Sequence, residues 1–444
     1  MADGWVFDQG IAGRWRGKPI VEAVKVEAPA EAPAVPEPEP DPEPQSRENE
    51  EAEEVEVADE AEVVAAEVEV VASPSSSATE EAQEPQSPAV ALGAARVEMV
   101  RLPDEVLGAG FEFVQLEVAK GLQPLTFMLG SGFPSNAVTS RGRELIDIEG
   151  AKFTGGWLSE AQAANKVGLE DVRFLGTGSK IDDLGDCSVM DFPQAQLAEQ
   201  LGIEVHGILG KPFFTKYDVD LDRYRARADI YAPGEAALQG FYSGVKHLPG
   251  LELPQNNLGL AVKGAAVSEE GGLPETPSAF IGLLDSSAAH TVLNWEAAKL
   301  FGFSGPTDPR LAAAAKVLAA SATGQAEEMP VTLVRLSLCS VPEGVGPKIL
   351  SVSKEEFESR GSANGWVFED LSGGDECIDF GAINVAIGNP LALSVLEDSK
   401  IGPFKGAAAI IGQDVLFQAD RLVMNMKDSQ IWLKPGEIRD SPEM

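Results

Sequence analysis

Cysteine is scarce in this chain: 444 residues include only Cys187, Cys339 and Cys377, far apart and odd in number. That scarcity argues against a disulfide framework and a zinc site, so all three thiols are expected to be reduced and structural. His206, His247 and His290 are the only histidines, and their spacing makes neither a two-histidine metal motif nor, without a nucleophile elbow, a serine triad. No metal and no cofactor are expected. No run approaches the roughly 18 to 20 apolar residues of a membrane span, and MADGWVFDQG lacks the charged-then-apolar order of a secretory signal. The expectation is a soluble, intracellular protein, with a plastid or other organelle left open. Positive charge is also short, 34 Lys and Arg against 71 Asp and Glu for a net charge of −37. Such a chain repels phosphate backbones and anionic lipid heads, which excludes nucleic acid and membrane surfaces as expected partners. The Gly-rich pieces LGSGFPS at 129–135 and GTGSK at 176–180 fit no strand-to-helix phosphate cradle.

The acid is unevenly spread. Residues 1–95 hold 23 acidic and 5 basic side chains, with EAPAEAPAVPEPEPDPEP leading into a Glu/Ala/Val run. Such a segment has too little apolar surface to offset ordering entropy, so a disordered acidic tail is expected, with a transient helix near 50–70. It reads as a solvated spacer or as a contact for a basic partner. Trp5, Phe7 and Trp15 make residues 1–20 a candidate docking peptide.

From about residue 96 short apolar runs alternate with Gly and Pro, as in GFEFVQLEVAKGLQPLTFMLGSG, a hairpin pattern. The pattern repeats. LTFMLGSGFPSNAVT at 125–139 has a counterpart in SAFIGLLDSSAAHTVLN at 278–294, HGILGKPFF at 206–214 in AAIIGQDVLF at 408–417, and YDVDLDRYRARADIY at 217–231 in ADRLVMNMKDSQIWL at 419–433. Each copy is a strand entering a small-residue turn, a later apolar-apolar-Gly step and a terminal hairpin. The second copy is longer, with insertions expected between about 304 and 375. A boundary near 245 divides a 96–245 lobe from a 246–444 lobe. Helices are expected at 159–168, 194–202, 294–303 and 310–322, decorating a mainly β framework.

On these residues, above all LLDSSAAHTVLNWEAAKLFG read with AAIIGQDVLF, the chain resembles the retropepsin-like or pepsin-like aspartic peptidases in their tandem two-lobe form. The resemblance spans roughly 105–435 and implies two homologous β lobes facing a peptide-sized cleft. It also implies that Gly210 and Gly412 stand where neighbouring backbone passes close. The family's chemistry needs one Asp per lobe, because two carboxylates sharing a proton supply both acid and base. Carried over by position, the second lobe offers Asp285, Ser286 and Ser287, but the first offers Gly130, Ser131 and Gly132. The first lobe is degenerate and Asp285 is the one candidate catalytic residue. Ser131, Gly132, Ser286 and Ser287 are the candidate binding residues beside it.

Two functional readings follow. One is a catalytically impaired protein that binds an extended polypeptide or scaffolds a partner. The alternative is an active aspartic endopeptidase pairing Asp285 with a carboxylate outside the motif, such as Asp147, Glu149, Asp182 or Asp183, or with the Asp285 of a second copy. His290 is a candidate cleft residue, and Trp295 the expected anchor of the helix after the turn. GWVFD at 4–8 and GWVFE at 365–369 are near copies, by chance or because the first mimics a strand formed by the second.

Overall fold

The computed structural model describes residues 91–436 except 102–109, 120–122, 147–165, 183, 241–243, 268–277, 321–325, 351–364, 375 and 397–401, together with the strand pair Arg14–Trp15 and Lys18–Pro19. The remainder of the acidic tail to residue 90, the expected helix near 50–70 and the GWVFD segment lie outside the described residues. All that follows belongs to one of the two units into which the chain divides; the other, Val21–Ser87, is also outside them.

The fold is mainly β and forms two lobes. In the first half β1 (Gly93–Arg101), β2 (Gly110–Glu117) and β3 (Leu125–Leu129) form an antiparallel meander, as the hairpin pattern predicts. After the short β4 (Ala137–Val138) and α1 (Pro193–Gln200), β5 (Gly207–Leu209) inserts between β3 and β4, parallel to the first and antiparallel to the second. LTFML and GIL are buried throughout, because both faces of these strands are covered. Next come α2 (Lys211–Lys216) and the hairpin of β6 (Asp218–Asp222) and β7 (Arg227–Tyr231).

The second half repeats the arrangement. β8 (Lys246–Pro249) and β9 (Asn257–Ala266) lead to β10 (Ser278–Leu284), a turn, β11 (Val292–Leu293) and α3 (Trp295–Leu300). A short α4 (Pro309–Ala312) and the antiparallel strands β12 (Lys316–Ala320), β13 (Ala326–Cys339) and β14 (Cys377–Ile387) follow. Then β15 (Ala408–Ile411) inserts between β10 and β11, followed by α5 (Gln413–Leu416) and the hairpin of β16 (Ala419–Asn425) and β17 (Gln430–Pro435).

The correspondence extends to single bonds. Gly130 N–H donates to the Leu209 carbonyl at 2.9 Å and Asp285 N–H to that of Ile411 at 3.0 Å; Lys211 N–H donates to Phe133 and Gln413 N–H to Ala288, at 2.8 and 2.9 Å. The glycines that follow each inserted strand do what the resemblance implies. A Cβ on Gly210 would collide with the Ser135 carbonyl, and one on Gly412 would stand 2.5 Å from the carbonyl carbon of His290.

The halves are not sealed from one another. β6 pairs antiparallel with β16, so the two terminal hairpins share one sheet, which runs from β8 through β17, β16, β6, β7 and β1 into the first-half meander. In the second sheet an added pairing of β9 with β13 closes the run β9-β10-β15-β11-β14-β13 on itself. One apolar core spans both, including Leu129 and Phe213 from the first half and Leu284, Ile411 and Leu416 from the second.

Several expectations are corrected. Cys339 and Cys377 are not reduced thiols: they face each other across β13 and β14 and form a disulfide, a pairing that depends on strand register and not on their separation of 38 residues. Cys187 is the free thiol, pushed up to about 12 by burial. The helix expected over 310–322 stops at Ala312, because Val317 and Leu318 pair with Met329 and Glu328 of β13 and tertiary pairing overrides the helical preference of the alanine run. Of the helix expected at 159–168, residues 166–168 are a strand, and the rest lies outside the described residues. The helices at 194–202 and 294–303 are present as α1 and α3, the latter capped by the Asn294 side chain, which accepts from Ala297 N–H at 2.8 Å. Trp295 is half-buried against the core. No helix among the described residues is long and apolar enough to cross a membrane.

Candidate functional site

The two small-residue turns meet between the lobes. Ser131 N–H donates to Ser286 Oγ at 2.9 Å, Ser286 N–H donates to Ser131 Oγ at 3.0 Å, and Ser286 Oγ–H donates to the Leu129 carbonyl at 3.1 Å. Both serines are fully buried, so these two expected ligand contacts instead tie one turn to the other. Gly132 and Ser287 remain at the surface of a cavity of about 550 Å³, which Asp285 also lines.

Each turn accommodates the other's side chain. A Cβ on Gly132 would overlap the Asp285 carboxyl group, so glycine is needed there for Asp285 to lie where it does. The reverse contact is altered on both sides. At Gly130 a Cβ would stand 2.5 Å from Ile208 Cδ1 and 3.1 Å from Ser287 Cβ. Ser287 therefore borders the space that a side chain at position 130 would need. It also binds the remaining acid, its N–H and Oγ–H donating to Asp285 Oδ1 at 2.8 and 2.5 Å.

Among the described residues lining the cavity, Asp285 is the single carboxylate and Lys211 the single cation. Lys211, the first residue of α2, is 5% exposed and donates from Nζ to Asn257 Oδ1 at 3.0 Å. Burial pulls its pKa below the usual lysine value, and the charge of Asp285 acts in the opposite direction. Gln194 of α1 donates from Nε2 to the Ser287 carbonyl at 3.2 Å. Phe133, Leu283 and Val395 add apolar wall. Lys211, Asn257 and Gln194 were not apparent as site residues in the sequence. The signal that could have found Lys211 is its place directly after the repeated glycine, where the second half has Gln413.

Of the carboxylates expected as partners for Asp285, Asp182 alone is among the described residues. Asp182 is on an exposed loop near Lys180, its side chain 83% exposed; Asp147, Glu149 and Asp183 lie outside the described residues. His290 does not line the cavity. Its Nδ1 is buried with no partner among the described residues, and burial pushes its pKa down to about 4. No group of three or more His, Cys, Asp or Glu among the described residues could hold a metal ion.

Two further acids, Asp218 and Asp414, are buried. Asp414 of α5 accepts from Thr291 N–H and Oγ1–H and from Val415 N–H. Asp218 accepts from Gly234 and Ala236 N–H. Burial pushes both carboxyls up to about 6. A raised carboxyl pKa stabilises the fold below its unfolded value, and that contribution is lost as pH rises through about 6. His206 and His290 are depressed, so they contribute above their unfolded value, with loss as pH falls. The two sets oppose each other between about pH 4 and 6.5. His290→Gln removes one opposing group and is expected to stabilise the protein at pH 5 relative to pH 7.5 by more than wild type shows. Thermal melts at the two values check this, and an unchanged difference would contradict it.

No family model matches the chain, and no curated protein matches it. Among solved structures it is similar to basic 7S globulin from soybean, with a TM-score of 0.36, 13% identity, and coverage of 77% of this chain and 94% of that one. It is also similar to conglutin gamma, a basic 7S globulin from lupine seeds, with a TM-score of 0.34, 12% identity, and coverage of 78% and 95%. Scores this low carry no argument about what this chain does. The membership of the retropepsin-like or pepsin-like aspartic peptidases that the turns suggest is not upheld: no family model matches the chain.

Proposed function

We propose that this chain is a non-catalytic protein whose two β lobes hold an extended polypeptide segment in the cavity between them. The observation that carries the reading is that Asp285 is the one carboxylate among the described residues lining the cavity. Hydrolysis by paired carboxylates requires an acid and a base sharing one proton; here position 130 is glycine, packed against Ile208 and Ser287. The cavity, about 550 Å³, is lined by apolar side chains and a few convergent polar groups, a composition suited to binding. A polypeptide fits a wall built of strand ends and turns, the setting in which extended chains are held. In the same reading the acidic residues 1–95 are a contact for a basic partner.

The test is incubation of full-length protein with diverse unstructured peptides from pH 3 to 7, scoring retention and cleavage for wild type and Asp285→Asn. Retention without cleavage is expected for both. Cleavage by wild type that disappears in Asp285→Asn would overturn the non-catalytic reading and point to a second carboxylate.

A further inference from the structure

Lys211 is a buried cation that forms no ion pair among the described residues; the charge of Asp285 acts on it from the same cavity without a direct contact. An ammonium carries three N–H groups, and among the described residues the one hydrogen-bond partner of Nζ is a neutral amide, Asn257 Oδ1. That amide is oriented by its own second bond, Asn257 Nδ2 donating to the Pro254 carbonyl at 2.6 Å. Burying a charge is costly unless it is paired. The fold does not demand a cation at this point: the equivalent Gln413 is uncharged and fully buried, and its Nε2 donates to the Ser286 carbonyl at 2.9 Å and to Glu112 Oε2 at 3.3 Å.

A second group on the same cavity is also incomplete. Gln194 Oε1 is buried with no partner among the described residues, while its Nε2 is held by the Ser287 carbonyl. Among the described residues the cavity thus presents a cation without an ion-pair contact and an acceptor without a donor. A ligand satisfying both carries a carboxylate and an N–H group, which is the chemistry of an acidic residue within a peptide.

Resting on the function proposed above, we propose that the cavity selects a polypeptide segment bearing an Asp or Glu side chain, with the carboxylate paired to Lys211 Nζ and a backbone N–H donating to Gln194 Oε1. Lys211 is then a specificity-determining residue for polypeptide binding.

The experiment uses full-length protein and end-blocked, labelled peptides in matched Glu and Gln pairs, with affinity read by fluorescence anisotropy at pH 7. A Glu peptide is expected to bind about tenfold or more tighter than its Gln match. Lys211→Gln, which copies the residue of the second half, and Lys211→Met are both expected to erase that difference, the Glu and Gln peptides of each pair then binding alike within about twofold. Equal binding of the pair to wild type, or a Glu preference surviving both substitutions, overturns the inference while leaving polypeptide binding intact. Absence of binding by every peptide overturns the proposed function and this inference with it. Competition by free glutarate at the peptide's own concentration, lost in Lys211→Gln, overturns the commitment to a polypeptide and assigns the site to small dicarboxylates.

Discussion

Replacing Arg223 by Met is expected to lower the unfolding free energy by about 3 to 5 kcal/mol, the loss typical of a buried ion pair deprived of one partner. Arg223 lies in the turn between β6 and β7. Its Nε and Nη2 donate to Glu112 Oε1 and Oε2 at 2.6 and 3.2 Å, and its Nη1 donates to the Leu416 and Ala419 carbonyls at 2.6 and 3.1 Å. Glu112 is fully buried, with Gln413 Nε2 as its further donor at 3.3 Å. Removing the guanidinium leaves that carboxylate buried against a single amide and strips two carbonyls at the end of α5 of their donor. The loss therefore comes mainly from the groups left behind. A variant that also carries Glu112→Leu is expected to recover much of it, because two apolar groups need no partners. Urea unfolding of both variants decides the matter; a loss below about 1 kcal/mol in Arg223→Met would show that the pair is solvated or replaceable.

Gly130→Asp on its own is expected to cost roughly 3 to 5 kcal/mol or to prevent folding, and not to restore a working pair of carboxylates. Position 130 is buried, and the new Cβ would press on Ile208 and Ser287. The new carboxylate would also be brought toward Asp285, and neighbouring like charges disfavour double ionisation. Ile208 can yield at its flexible end, whereas Ser287 is held by its two bonds to Asp285. Combining Gly130→Asp with Ser287→Gly reproduces the packing seen between Asp285 and Gly132, so the double variant is expected to be more stable than the sum of the single effects by over about 1 kcal/mol. Strict additivity in a double-mutant cycle would refute the coupling of the two positions.

This coupling shows how much of the site was legible beforehand. The sequence shows separately that Gly130 lacks a carboxyl and that Ser287 adds a side chain, two departures 157 positions apart. Only the packing shows that one borders the space of the other. Ser131 and Ser286 illustrate the opposite error: small polar residues in a turn read as ligand contacts, yet reciprocal hydrogen bonds withdraw both from the cavity. Lys211 went unnoticed because a lysine after glycine at a helix start reads as surface charge, and its burial depends on Asn257 arriving from the other half.

The sequence by itself determined the mainly β character, the repeated strand-turn-inserted-strand plan and the missing first carboxylate. Those properties are local: apolar runs, turn residues and glycines carry them without reference to distant contacts. Tertiary structure decided the Cys339–Cys377 bond, the strand at 316–320, the sharing of one sheet by both terminal hairpins, and the joining of Lys211 to Asp285 in one cavity. Each depends on register or on approach between residues far apart in the chain, where pairing and burial outweigh local propensity.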